Sequence, residues 1–138
     1  MDDIILNKAA IIERCIKRIK EEYADDELNL YENYTKQDSI ILNLQRACEA
    51  AIDLAMHEIR LNQLGIPQES RDAFHMLYKA GLLEKGLADR MMTMVGFRNI
   101  AVHDYQELNL DIIKQIIEKH LEDFIRFTST FIKKRPSG

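Results

Sequence analysis

The sequence predicts an all-α fold, an up-and-down bundle of about five helices, and three observations carry that expectation. Apolar residues recur at spacings of three and four along most of the chain, the period of a helix that buries one face. Only five glycines and two prolines interrupt 138 residues, too few breaks for many short strands and turns. Strand-like alternation is nowhere sustained.

The first helix is expected from Asp3 to Ala24. Ile5, Ala9, Ile12, Ile16, Ile19 and Tyr23 form its apolar stripe, and Asp2 and Asp3 suit its amino end. Residues Asp25 to Tyr34 break that rhythm and read as a connection pinned to the bundle by Tyr31 and Tyr34. Thr35 is the expected N-cap of a long second helix, with Asp38 in a capping-box-like position. Ile40, Leu44, Ala47, Cys48, Ala51, Leu54, Ala55 and Ile59 carry that helix until Gly65 and Pro67 stop it, and Ala47, Ala50 and Ala51 let a neighbour approach closely.

Ser70 is the expected cap of a short third helix closed by Gly81. A fourth starts near Glu84 and runs through Val102, with Met91, Met92 and Met94 as adaptable packing, and Gly96 just before Phe97 either permits a close helix approach or loosens the backbone. Asn109 caps the last helix. Its stripe of Leu110, Ile113, Ile117, Leu121, Phe124 and Phe131 is accompanied by a second, Ile112, Ile116 and Ile125, the pattern of a helix packed on two sides. Residues 1–132 are read as one domain and 133–138 as a flexible tail.

Composition narrows the function classes. A formal net charge of −4 argues against holding nucleic acid through the overall field, so any RNA contact must be local. Lys17, Arg18 and Lys20, or Lys133, Lys134 and Arg135, are the basic clusters, read as a solvated helix face and a frayed tail. Cys15 and Cys48 lack metal-ligand spacing and are expected as buried thiols. His57, four residues from Asp53, reads as a packed or surface histidine, and His75 has no evident partner. No signal peptide or membrane span is recognised, which gives the expectation of a cytoplasmic protein.

The chemistry concentrates in Gly96-Phe97-Arg98-Asn99-Ile100-Ala101-Val102-His103-Asp104-Tyr105. A guanidinium grips phosphate with a permanent charge, and an imidazole exchanges protons near neutral pH. On a helix at about 100° per residue, Arg98 and His103 point about 140° apart, whereas Asn99 and His103 share a face. Arg98 and His103 therefore converge only if the helix ends or distorts near His103, or if a second subunit completes the site across a twofold axis. Read without family context, the same residues fit a histidine that complements a helix end and an arginine that pairs with Asp104 or another surface carboxylate.

With the helices placed, the chain resembles the HEPN superfamily, and within it the HepT-like toxins encoded beside minimal nucleotidyltransferases. The resemblance rests on Arg98-x4-His103-x-Tyr105 at a helix end, on Gly96-Phe97-Arg98-Asn99, and on Asp38-Ser39-Ile40-Ile41-Leu42-Asn43-Leu44-Gln45-Arg46-Ala47. It implies a toxin that cleaves RNA without metal or cofactor, with Arg98 and His103 as catalytic residues and a twofold homodimer bringing both copies of the motif to one cleft. Asn99 is inferred to orient the imidazole or the phosphate. The resemblance further implies that Tyr105 accepts AMP from a partner nucleotidyltransferase antitoxin, placing bulk and negative charge beside Arg98 and His103. The acidic balance leaves a second reading, a non-catalytic helical scaffold for a nucleotidyltransferase.

Overall fold

The computed structural model describes residues 2–134. Every regular element among them is helical: α1 (Asp3–Tyr23), α2 (Leu28–Tyr31), α3 (Tyr34–Leu61), α4 (Ser70–Lys79), α5 (Lys85–His103), α6 (Leu110–Gln115) and α7 (Leu121–Lys134). Between α6 and α7 one π turn, Ile116–His120, joins the two into a single long rod, so the expected five major helices are present with α2 as an extra turn. None of these helices is long and apolar enough to cross a membrane.

Helix α3 is the spine. Ala47, Ala51, Leu54 and Ala55 are fully buried on it, and Ala50, Ile52 and His57 bury other sides, because α1, α4, α5 and α7 all lean on the same rod. Its alanines allow those close approaches. Helix α1 lies antiparallel along it, as two cross-links show: Asp2 meets His57, and Lys8 Nζ reaches Asp53 at 3.0 Å. Phe74 from α4 tilts against Phe127 at 5.4 Å between centroids, and Phe127 meets Phe131 edge-on at 5.1 Å. Such pairs contribute about 1 kcal/mol beyond the area they bury. Met91 and Met94 are buried in the core, as expected, and Met92 packs against it. Cys15 and Cys48 are free and buried.

Several local expectations are corrected. Asn33, and not Thr35, caps α3, because its side chain accepts the Lys36 N–H at 3.0 Å one turn into the helix. That frees Asp38 from any capping duty. Glu69, and not Ser70, caps α4 through a reciprocal capping box with Asp72. Tyr31 is pinned as expected, its hydroxyl donating to Asp111, but Tyr34 is 75% exposed and pins nothing. Gly96 does not loosen α5, which runs unbroken through it. Ile112 is 52% exposed, so the second stripe of the last helix is only partly packed. Helix α7 runs through Lys133 to Lys134, and the rest of the expected tail, residues 135–138, lies outside the described residues.

Gly81 does close α4 as read from the sequence. At φ +76° it takes the left-handed position, and Leu82 N–H returns to Leu77 O while Gly81 N–H returns to Tyr78 O. His57 is 8% exposed and gives Nε2 to Asp2 Oδ2 at 2.6 Å, not to Asp53. The same Asp2 carboxylate caps α1 by accepting Ile4 N–H at 2.9 Å.

Asp2→Ala removes a helix cap and orphans a buried imidazole, for an expected loss of about 1–2 kcal/mol and a melting point lower by about 4 °C. The His57 hydrogen bond, foremost, holds the Asp2 carboxyl below its ordinary value. Its stabilisation is therefore complete above pH of about 4 and fades as pH falls through the lower folded value. Thermal melts across that acid window should converge for the wild type and Asp2→Ala.

Candidate active site

Helix α5 sets the site because Phe97 and Ala101 are buried one turn apart and fix its rotation. Arg98, one step around, is carried to the mouth of a cavity of about 430 Å³ lined by Glu69, Ser70, Arg71, Val95 and Asn99. Its Nη2 donates to Ser70 Oγ at 3.3 Å, a neutral acceptor that leaves the guanidinium charge uncancelled. Its Nε is fully buried with no hydrogen-bond partner among the described residues, an omission that costs about 1–3 kcal/mol in a folded protein. Glu69, the one acid lining this cavity, is occupied by the capping box.

A second guanidinium lies beside the first. A Cβ built at Gly96 would sit 3.0 Å from Arg71 Nη2, so it is the missing side chain at Gly96 that admits Arg71. The cavity thus presents two arginines, an amide and a hydroxyl. That is the donor set expected for a phosphodiester oxygen pair.

His103 is the last residue of α5 and is exposed. There the chain turns away: Asp104 N–H closes on Ile100 O at 2.8 Å, and Tyr105 opens a 3₁₀ turn, Tyr105–Glu107. Tyr105 is 45% exposed and donates its hydroxyl to Asp38 Oδ1 at 2.6 Å, across 67 positions of sequence. Partial desolvation first, then the hydrogen bond to the Asp38 carboxylate and its charge, pushes the phenol up to about 12. The phenol is held neutral with its hydroxyl on the Asp38 carboxylate.

The structure therefore groups the expected residues unequally. Arg98 and Asn99 line one cavity, and Asn99 shares a helix face with His103. Because α5 stays regular to its end, Arg98 and His103 diverge by about 140° within one chain. Arg98 pairs with Ser70 and not with Asp104. Three contributors escaped the sequence reading: Ser70, read only as a cap, Arg71, given no role, and Asp38, read as part of a cap and of the Asp38–Ala47 motif but not as the partner of Tyr105. For Arg71 the one hint was Gly96, since a glycine facing outward on a helix signals a close neighbour.

The fold and this site define a class, the all-α HEPN bundle that ends one helix in Arg-x4-His-x-Tyr. The ribonuclease HepT-like family model matches residues 12–131, and the chain belongs to that family. It is 57% identical over 127 residues to the mRNA nuclease HepT of Shewanella oneidensis, covering 92% of this chain and 95% of that protein. Among solved structures, a tri-AMPylated HEPN toxin of Shewanella oneidensis in complex with its MNT antitoxin matches with a TM-score of 0.92 and 55% identity, over 98% of this chain and all of that one. A toxin–antitoxin complex with AMP-PNP matches with a TM-score of 0.92 and 54% identity, over 97% of this chain and all of that one.

Asp38→Asn keeps an acceptor for the Tyr105 hydroxyl but removes the charge. Tyr105 should then titrate below about 12 yet stay above the ordinary value of about 10, because the desolvation remains. Site-resolved NMR of the ring carbons reads the shift. Gly96→Ala should displace Arg71 and weaken RNA binding while α5 stays folded, as checked by circular dichroism.

Proposed function

We propose that this chain is the toxin of a toxin–antitoxin pair: a metal-independent endoribonuclease that works in the cytoplasm as a homodimer. A partner nucleotidyltransferase antitoxin silences it by transferring AMP to Tyr105. The observation that carries this reading is the pair of guanidiniums facing one cavity between α4 and α5, with an exposed histidine five residues after Arg98, in a chain 57% identical to an mRNA nuclease.

Cleavage uses the RNA's own 2′-hydroxyl. It attacks the adjacent phosphorus, the bond to the 5′-oxygen breaks, and a 2′,3′-cyclic phosphate and a free 5′-hydroxyl result. His103 is the proton carrier, taking the proton from the 2′-hydroxyl or returning one to the departing oxygen. Arg98 stabilises the charge that builds on the phosphorane-like transition state, with Arg71 as a second donor at its side. Asn99, one turn before His103, orients the ring. Since one α5 points Arg98 and His103 apart, the site closes only when the second copy contributes the missing half across a twofold axis.

Silencing follows from the placement of Tyr105. Its Oη attacks the α-phosphorus of ATP, the bond to the β-phosphate breaks, and pyrophosphate leaves. Asp38, already accepting the phenolic hydrogen, takes the proton. The added phosphate then lies two residues beyond His103, where its bulk and negative charge block the substrate.

The divergence of Arg98 and His103 favours one other reading, a helical scaffold for the nucleotidyltransferase without cleavage of its own. Purified dimer incubated with RNA and a chelator separates the two. Cleavage should fall by about 10²–10⁴ in His103→Ala and by about 10²–10³ in Arg98→Ala, and unaltered rates in both leave the scaffold. Tyr105→Phe should cleave normally and gain no adenylyl mass after co-expression with the partner. Adenylates mapping to another residue would remove Tyr105 as the acceptor.

A further inference from the structure

Helices α1 and α3 leave an open trough of about 960 Å³ that the proposed reaction does not use. Arg14, Lys17, Arg18 and Arg46 line it, against Glu21 and Asp38. Four cations and two carboxylates make it locally basic in a chain whose formal net charge is −4. Ser39 and Asn43 also line it, with Asn43 Nδ2 donating to Ser39 O at 2.8 Å.

The distribution along the trough is polar. The antiparallel register fixed by Asp2–His57 and Lys8–Asp53 sets Glu21 opposite the Asp38 end and Arg14 opposite Arg46. One end is acidic. The other is wholly cationic, and Asp38 and Arg46, eight residues apart on one helix, are separated by about 12 Å. Asp38 is also the residue that holds the Tyr105 hydroxyl at 2.6 Å. The trough therefore starts where Tyr105 presents its oxygen and runs toward increasing positive charge.

We propose that this trough is a binding site for a ribonucleotide phosphodiester chain, and that its occupant is the series of adenylates built on Tyr105. The inference rests on Tyr105 being the acceptor, as proposed above. Each further addition forms a phosphodiester: a ribose hydroxyl of the attached AMP attacks the α-phosphorus of the next ATP, pyrophosphate leaves, and the hydroxyl proton passes to solvent. The first phosphate meets Asp38 and Glu21 and is poorly held. Later phosphates reach Arg18, Lys17, and then Arg14 and Arg46. The seat thus favours a chain of several adenylates over a single one. Because the partner groups are exposed side chains, the attraction weakens as salt rises.

The test compares the wild type with Arg14→Gln/Arg46→Gln, each co-expressed with the partner nucleotidyltransferase. Both substitutions fall on exposed positions, so melting points should match. Phosphodiesterase digestion of the modified protein, followed by intact mass, should strip adenylates about fivefold faster from the double variant at low salt. The difference should vanish at high salt, and Arg14→Lys/Arg46→Lys should restore protection. RNA cleavage by the unmodified double variant should stay within about twofold of wild type. Equal digestion rates overturn the seat. Unchanged digestion with weakened binding of unmodified protein to oligoadenylate assigns the trough to substrate RNA and overturns the adenylate occupant. A protein that gains no adenylates on Tyr105 fails at the modification step, a distinct result that removes the reading beneath this one as well.

Discussion

The burial of α3 on nearly every side is the constraint from which the other positions follow. A helix can be surrounded only if its side chains are small where neighbours cross, and Ala47, Ala50, Ala51 and Ala55 meet that condition. Once α3 is fixed, α1 lies antiparallel on one flank, α4 and α5 on another, and α7 closes the core through Phe124, Phe127 and Phe131. The functional groups sit at the edges of this packing. Asp38 and Arg46 belong to α3 itself, and Cys48 Sγ touches Met94 O of α5 at 3.5 Å, close enough to Arg98 to feel its charge. Burial outweighs that charge and raises the thiol, so the cysteine serves packing, not chemistry.

Charge is used locally in this molecule. A net charge of −4 gives little long-range attraction for RNA, yet two guanidiniums face one cavity beside α4 and four cations line the trough between α1 and α3. Elsewhere opposite charges cancel pairwise, as Arg90 does with Asp123 at 3.1 Å and Lys114 with Glu27 at 2.6 Å. Within about one Debye length, roughly 10 Å, such local clusters act on a phosphate almost independently of the overall sign.

The end of α5 divides the two halves of the proposed cycle. Up to His103 the helix is regular and its angles are set by the 100° step. Beyond it the 3₁₀ turn carries Tyr105 off the helix axis, to the Asp38 carboxylate. The residues proposed for cleavage are thus held by helix geometry, and the proposed AMP acceptor by a tertiary hydrogen bond. The acceptor hydroxyl is consequently oriented without depending on the conformation of His103.

Much of this was legible in the sequence because it is periodic or local. The helical period placed the five major helices, the apolar stripe of α1 and the Gly81 stop. The Arg98-x4-His103 spacing made the two residues diverge on a regular helix, and the structure, in which α5 stays regular to His103, decided that they do. The caps at Asn33 and Glu69 were missed by one or two residues, since several neighbouring polar residues satisfy the same N-terminal donors and only packing selects among them. What the tertiary structure alone decided were contacts between residues distant in sequence: Tyr105 with Asp38, Arg98 with Ser70, Arg71 in the gap at Gly96, and Arg14 facing Arg46. No local propensity encodes these, because each depends on the rotation and offset at which two helices meet. Those are set by the sum of side-chain volumes around α3 and not by any one stretch of chain.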